Sequence, residues 1–376
     1  MARFRLGILF GLLLLVVAPA AASDTDEEGG WSYDGNLRYR SPDARFELDL
    51  VNRLQARLTV ENPEAGEAGQ SFDVNRFRVL LAGRALDDWK FLVQTDLATG
   101  SLSSNQSESE LLLDASVTWA RHRLAQIRVG QGKVGFGRQF LIDSGYLQFV
   151  DRSIATERFV PGRDVGIALL GENEDRTYGY SVGLYNGNGI NEETDENENY
   201  MATARLEVAP LGPLELVESD PDGPDHTGPR LAVAVAGMTN LVGEGSFEEE
   251  RIKRGALELA LRWRGFSFVS EFFTESRDTL TGAPLDETDA DGWYAQAGYA
   301  FPFSRRGVLE LAGRYSEILA DVVDADRTET GGAVSLYLRG HRAKIQVDFR
   351  ALDFEEDPFG DTIDTEEARA QLQLIF

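Results

Sequence analysis

The chain has 376 residues and a formal net charge of -26, with 63 acidic side chains against 37 Lys and Arg. That balance argues against nucleic acid as a partner, and the absence of cysteine excludes disulfides and thiolate metal sites. Nothing in the sequence calls for a cofactor or a metal: the glycines of "YNGNG" (Tyr185–Gly189) have no following helix to cradle a phosphate.

In chain order, residues 1–22 read as a secretory signal peptide. Arg3 and Arg5 form the positive head, "LGILFGLLLLVVA" is an apolar core of 13 residues, and "APAAAS" offers a cleavage site at Ala20 and Ala22. The core is shorter than the roughly 20 residues a spanning helix needs. Residues 23–51 read as an N-terminal periplasmic segment, with a short strand-like run at 44–50 as a hairpin or plug-like element. Residues 52–376 read as one transmembrane barrel domain.

That domain is written in alternating segments of roughly ten residues, the signature of barrel strands. In "GALELALRWRG", Leu257, Leu259, Leu261 and Trp263 share one face, with Glu258, Arg262 and Arg264 on the other. Sixteen such runs fall at 52–61, 72–84, 88–98, 111–120, 124–131, 164–171, 176–187, 199–209, 230–239, 252–264, 266–275, 292–301, 307–317, 328–339, 342–353 and 367–376. The expected fold is therefore all-β, a 16-stranded antiparallel transmembrane β-barrel. The connections alternate in length. Those at 62–71, 99–110, 132–163, 188–198, 240–251, 276–291, 318–327 and 354–366 are long and face outward; the alternate ones are short periplasmic turns, except 210–229. The final run, "ARAQLQLIF", ends on an aromatic residue and must close onto the first strand, because an open edge in lipid leaves backbone groups unpaired.

Lipid and lipopolysaccharide then meet the apolar face, and the polar face lines the lumen. The lumen receives Arg53, Arg57, Arg76, Arg78, Lys90, Arg128, Arg205, Arg262, Arg264, Arg314, Arg339, Arg350 and Arg369, against Asp96, Asp114, Glu207, Glu258, Glu310 and Asp348. The remaining acids crowd the outward connections, as in "EETDENEN" (192–199) and "DFEEDPFGDTIDTEE" (353–367), where they bind divalent cations or keep loops solvated. A file of Arg and Lys in a narrow polar pore attracts anions, and arginine suits phosphate through its two-pronged fork. The longest connection, "GKVGFGRQFLIDSGYLQFVDRSIATERFVPGR" (132–163), is too apolar for a solvated loop. It is expected to fold inward and narrow the pore, bringing Lys133, Arg138, Arg152, Arg158 and Arg163 to the constriction or the wall.

Several short motifs, in this order and spacing, resemble the phosphate-selective porin O and P family: "NRLQARL" (52–58), "DWKF" (88–91), "DASVTW" (114–119), "RVGQGKVGFG" (128–137), "VDRSIA" (150–155), "PGRDVGI" (161–167) and "YNGNG". The resemblance implies a trimeric 16-stranded barrel with the third loop folded inward and an arginine-lined path to a phosphate site. It assigns Arg53, Arg76, Lys90 and Arg152 to that path. Asn75, Leu113, Gly135 and Phe140 depart from the pattern, where the family would have an arginine, an acid, a proline and a lysine. The function expected is passive diffusion of small solutes, with anions such as phosphate or polyphosphate preferred; a general non-selective porin and a non-conducting structural or adhesion barrel are the alternatives. An enzyme is not expected, since His122, His226 and His341 all fall in periplasmic connections with no serine motif beside them.

Overall fold

The computed structural model describes residues 29–63, 68–98, 111–192, 199–221, 228–243, 250–279, 288–304, 307–320, 326–354 and 364–376. The signal-peptide segment and most of the acidic stretches of the long connections lie outside the described residues.

A short hairpin, β1 (Gly30–Tyr33) and β2 (Leu37–Arg40), precedes a closed antiparallel sheet. Its sixteen strands are β3 (Phe46–Pro63), β4 (Gly69–Ala85), β5 (Trp89–Asp96), β6 (Leu112–His122), β7 (Ala125–Lys133), β8 (Arg163–Glu172), β9 (Tyr178–Tyr185), β10 (Met201–Val208), β11 (Arg230–Val242), β12 (Glu250–Trp263), β13 (Phe266–Thr279), β14 (Thr288–Ser304), β15 (Gly307–Ala320), β16 (Arg327–Tyr337), β17 (Ala343–Phe354) and β18 (Thr365–Ile375). Each pairs with its sequence neighbour, and β18 closes on β3 in register from Ile375↔Arg53 to Thr365↔Pro63. Closure leaves no row of unpaired backbone groups along the barrel.

Each of the sixteen expected runs falls on one strand. The run at 44–50 is not a separate element: Phe46–Leu50 opens β3 itself. The preceding hairpin lies earlier, and β2 pairs with Glu47–Leu50 of β3 beyond the point where β18 ends. Two arginines expected on the interior wall, Arg264 and Arg339, lie instead in turns and are exposed, because β12 and β16 end before them; Arg264 stacks on Trp263.

The sidedness inverts that of a water-soluble protein. Leu257, Leu259 and Trp263 of β12 are exposed, while Glu258 between them is 1% exposed. On β17, Val347 and Phe349 point out and Gln346 and Asp348 are buried; on β18, Leu372 and Leu374 point out and Gln371 and Gln373 are buried. An apolar exterior and a polar, hydrogen-bonded interior are what a lipid surround demands. Inside, carboxylates and guanidiniums pair: Arg314 with Glu329, both side chains fully buried, and Arg369 with Asp348 at 2.8 Å.

Candidate functional site

Residues 134–162 join β7 to β8 and form three short turns: α1 (Arg138–Leu141), a 3-10 turn (Ser144–Tyr146) and α2 (Ile154–Phe159). Ser153 starts α2 by accepting a hydrogen bond from Thr156 N at 3.1 Å, and Asp143 starts the 3-10 turn by accepting one from Gly145 N at 2.8 Å. Val134, Phe136, Ile142, Leu147, Phe149 and Phe159 of this segment are at most 1% exposed. They pack against interior-facing side chains of the strands: the Phe159 ring lies 5.6 Å from that of Phe273. A Cβ at Gly292 would stand 2.3 Å from the Phe159 ring, so glycine lets α2 approach β14.

The segment's polar bonds reach the far strands of the sheet. Gln139 N donates to Glu271 (2.8 Å), Ala155 N to Ser316 Oγ (3.2 Å) and Val150 N to Asp348 (3.0 Å). Lys344 Nζ and Gln373 Nε2 donate to the carbonyls of Leu147 (2.9 Å) and Gly145 (3.0 Å). Residues 209–221, which follow β10, join the same assembly from the other end of the barrel. Their Glu218, 1% exposed, accepts from Gln148 N (2.6 Å), Gln139 Nε2 (2.7 Å) and Gln296 Nε2 (3.0 Å). Ser219 Oγ stands 3.4 Å from His341 Nε2, but Ser219 is wholly buried and already bonded to Tyr337 OH, so no substrate reaches it.

The predicted basic residues divide into three groups. Arg57 and Arg76 donate to the two oxygens of Asp151 at 3.1 and 2.7 Å, and Arg369 donates to the same carboxylate at 3.1 Å. Burial opposes the charge on Asp151, but the Arg76 and Arg369 guanidiniums outweigh it and hold the carboxyl well below the usual carboxylate range. Arg53 pairs with Asp143. Arg53, Arg57 and Arg76 fasten the 134–162 segment to β3 and β4, and Arg369 fastens it to β18. The second group surrounds Phe140. Lys133 Nζ donates to the carbonyls of Phe140, Leu141 and Ile142 at 2.7 to 3.1 Å, and Arg152 donates to those of Gln139 and Ile142 at 3.1 and 2.8 Å. Lys133 and Arg152 lie 5.4 and 5.0 Å from the Phe140 ring centre, and Arg163 lies 5.9 Å from it. Cations at the carbonyl end of a short helix are favourable. Neither Lys133 nor Arg152 pairs with a carboxylate among the described residues. Burial, and next the Arg76 charge, lower Arg152 to about 10, which leaves it protonated at neutral pH.

The third group does not line this region as expected. Arg138 is 1% exposed, because its guanidinium bridges Glu207 (2.9 Å) and the carbonyl of Glu215 (3.0 Å). Lys90 is exposed at the short-turn end, 3.3 Å from Gln126 Oε1. Arg128 is turned toward Lys133 O (2.8 Å) and Tyr185 OH (3.3 Å).

Arg78 holds the central position. Its Nε donates to Asp96 at 2.7 Å and its Nη1 to Ser144 Oγ at 3.0 Å. It lines two cavities. One, of about 590 Å³, opens toward the long connections and is also lined by Leu113, Phe140, Pro161, Arg163 and Ile190. The other, of about 260 Å³, lies toward the short turns beside Arg53, Tyr146, Arg342 and Ile375.

The sequence profile of the family described as phosphate-selective porin O and P matches residues 52–376. The chain belongs to this family. The porin barrel thus has its place in the bacterial outer membrane. Solved structures show the same fold at low identity. The outer-membrane channel DcaP of Acinetobacter baumannii is 10% identical, with a TM-score of 0.58 over 90% of this chain and 99% of its own. OmpF of Salmonella typhi, solved with daunomycin, is 14% identical, with a TM-score of 0.56 over 88% and 98%. The trimer form of OmpT of Vibrio cholerae is 10% identical, with a TM-score of 0.54 over 87% and 99%. No curated protein matches the chain.

Glu271, Glu275, Glu329 and Lys344 are interior residues outside the expected lumen set, although alternation in "KIQVDF" puts Lys344 on the face of Gln346 and Asp348. On β13 both faces are apolar in places, since Val269 and Phe273 pack inward while Phe272 points out, so polarity there loses its period of two. Glu218 sits in a connection and carries no pattern at all.

Proposed function

We propose that this porin is an anion-preferring diffusion channel in which the 134–162 segment lies within the lumen and sets the constriction. The observation that carries the reading is that Arg78 borders both cavities, with Lys133, Arg152 and Arg163 gathered beside it. Opposing carboxylates consume much of the wall's charge: Asp151, Asp143, Asp96 and Asp114 each hold an arginine. Lys133 and Arg152 are held by carbonyls instead, so the excess positive charge concentrates around Phe140. Low-dielectric walls focus that field on a passing ion. Chloride and phosphate belong to the class such a path favours, and the family's description supports phosphate as one of its solutes. A homotrimer embedded in lipid and lipopolysaccharide fits the same reading, supported by the trimeric neighbour and by the exposed apolar band.

The test is the reversal potential of the refolded protein in a planar bilayer under a potassium chloride gradient. The wild type gives the sign of an anion-selective pore. Arg78→Glu moves the potential toward cations while the barrel keeps its heat-modifiable gel mobility. A variant with unchanged selectivity removes Arg78 from the path.

A further inference from the structure

The outer cavity is not built like a site for a small inorganic ion. Leu113, Phe140, Pro161 and Ile190 give it an apolar wall, and Arg78 and Arg163 stand on its border. Among the described residues both arginines keep a terminal nitrogen outside their bonds: Arg78 spends Nε and Nη1 on Asp96 and Ser144, and Arg163 spends Nε and Nη2 on Asp114 and Gln94. An apolar wall facing convergent polar groups, here completed by Asn188, suits an amphiphilic organic ligand, and about 590 Å³ is within the range such sites occupy. Asp96 and Glu192 also border the cavity and penalise an anion of more than one charge.

We propose that this cavity binds a small organic monocarboxylate with an apolar, preferably aromatic, body, its carboxylate on Arg78 and Arg163 and its body against Phe140. The proposal rests on the anion-channel reading and narrows it. Phe140 suits the role physically. Three cations gathered about its ring fix the side chain in place, and an offset ring on it gains more than apolar burial alone. Inorganic phosphate finds the same two guanidiniums but leaves Leu113, Pro161 and Ile190 facing water.

The experiment is block of chloride current through the full-length refolded porin by benzoate, acetate and inorganic phosphate, each at constant ionic strength. Benzoate is expected to block at a concentration about tenfold below acetate, a difference of about 1.4 kcal/mol, and below phosphate. Phe140→Leu keeps apolar bulk without the ring and brings benzoate toward acetate. Equal block by benzoate and acetate, or stronger block by phosphate, overturns the proposal. The reversal potential recorded on the same channels separates the two failures: an anion-selective sign with no benzoate preference defeats only this inference, whereas a cation-selective sign defeats the channel reading with it.

Discussion

The 134–162 segment meets two unlike sectors of the barrel wall. Against β10 to β14 it packs closely: Phe136 and Phe159 join Met201, Val269, Phe273 and Tyr294 in one apolar cluster, and Glu218 accepts hydrogen bonds from Gln139 and Gln148 of the segment. Between β3 and β8 the same segment leaves space, and the two cavities meet the arginines there. Both sectors descend from the same alternation of residues. What separates them is the partner each wall offers the segment. The small and apolar inner faces of β11 to β14 accept its rings, whereas Arg53, Arg57 and Arg76 hold it by single carboxylates and stop it from collapsing onto β3 to β5.

The comparison breaks most severely at Asp151. Asp151→Asn leaves Arg57, Arg76 and Arg369 without their common carboxylate, and removing one partner of a buried charge set costs about 3–5 kcal/mol. The thermal midpoint of the barrel, followed by gel mobility, is expected to fall, and single-channel conductance to become noisier. The pH dependence has a definite sign. The folded carboxyl titrates below its unfolded value of about 3.9, so its contribution is complete well above that pH and fades only as the pH falls toward the folded value. The wild-type advantage over Asp151→Asn is therefore flat from pH 8 to about pH 5 and shrinks in stronger acid. An advantage that vanishes near pH 6 contradicts this arrangement.

Glu218 sharpens the comparison from the filled side. Glu218→Ala strands the donors of Gln148 N, Gln139 and Gln296, a loss of about 1–3 kcal/mol for buried groups left unsatisfied. Conductance is expected to rise as the second sector admits water. Unaltered conductance and stability together mean that this connection closes nothing. Lys90 gives the smallest effect. It is exposed and meets Gln126 at 3.3 Å, so Lys90→Ala changes stability by less than about 0.5 kcal/mol and leaves the reversal potential where it was.

Much of this was legible in the sequence because a lipid surround imposes a strict rule on each strand. Period-two alternation located all sixteen, and it put Arg76 and Arg78 on the same face of β4, where they meet Asp151 and Asp96. The carboxylates that hold those arginines were not legible. Asp151 lies 94 residues from Arg57, 75 from Arg76 and 218 from Arg369, and only the folded segment joins them. Alternation reports which face a side chain takes, not which partner waits there. For this reason Arg138, with a sequence environment like that of its neighbours, proved to be a buried brace to Glu207. The filled sector was hidden for the opposite reason: where both faces of a strand are apolar, as on β13, the pattern that marks an interior disappears.

On the proposed reading, ions pass Arg78 and not the β10–β14 sector. The chain has no cysteine, so a single introduced thiol is the only one present. Arg78→Cys and Ser267→Cys, the latter on the buried inner face of β13, are to be exposed to a sulfonate-bearing methanethiosulfonate during bilayer recording. Stepwise loss of current in Arg78→Cys with none in Ser267→Cys is the predicted result; loss in Ser267→Cys with Arg78→Cys unaffected contradicts it.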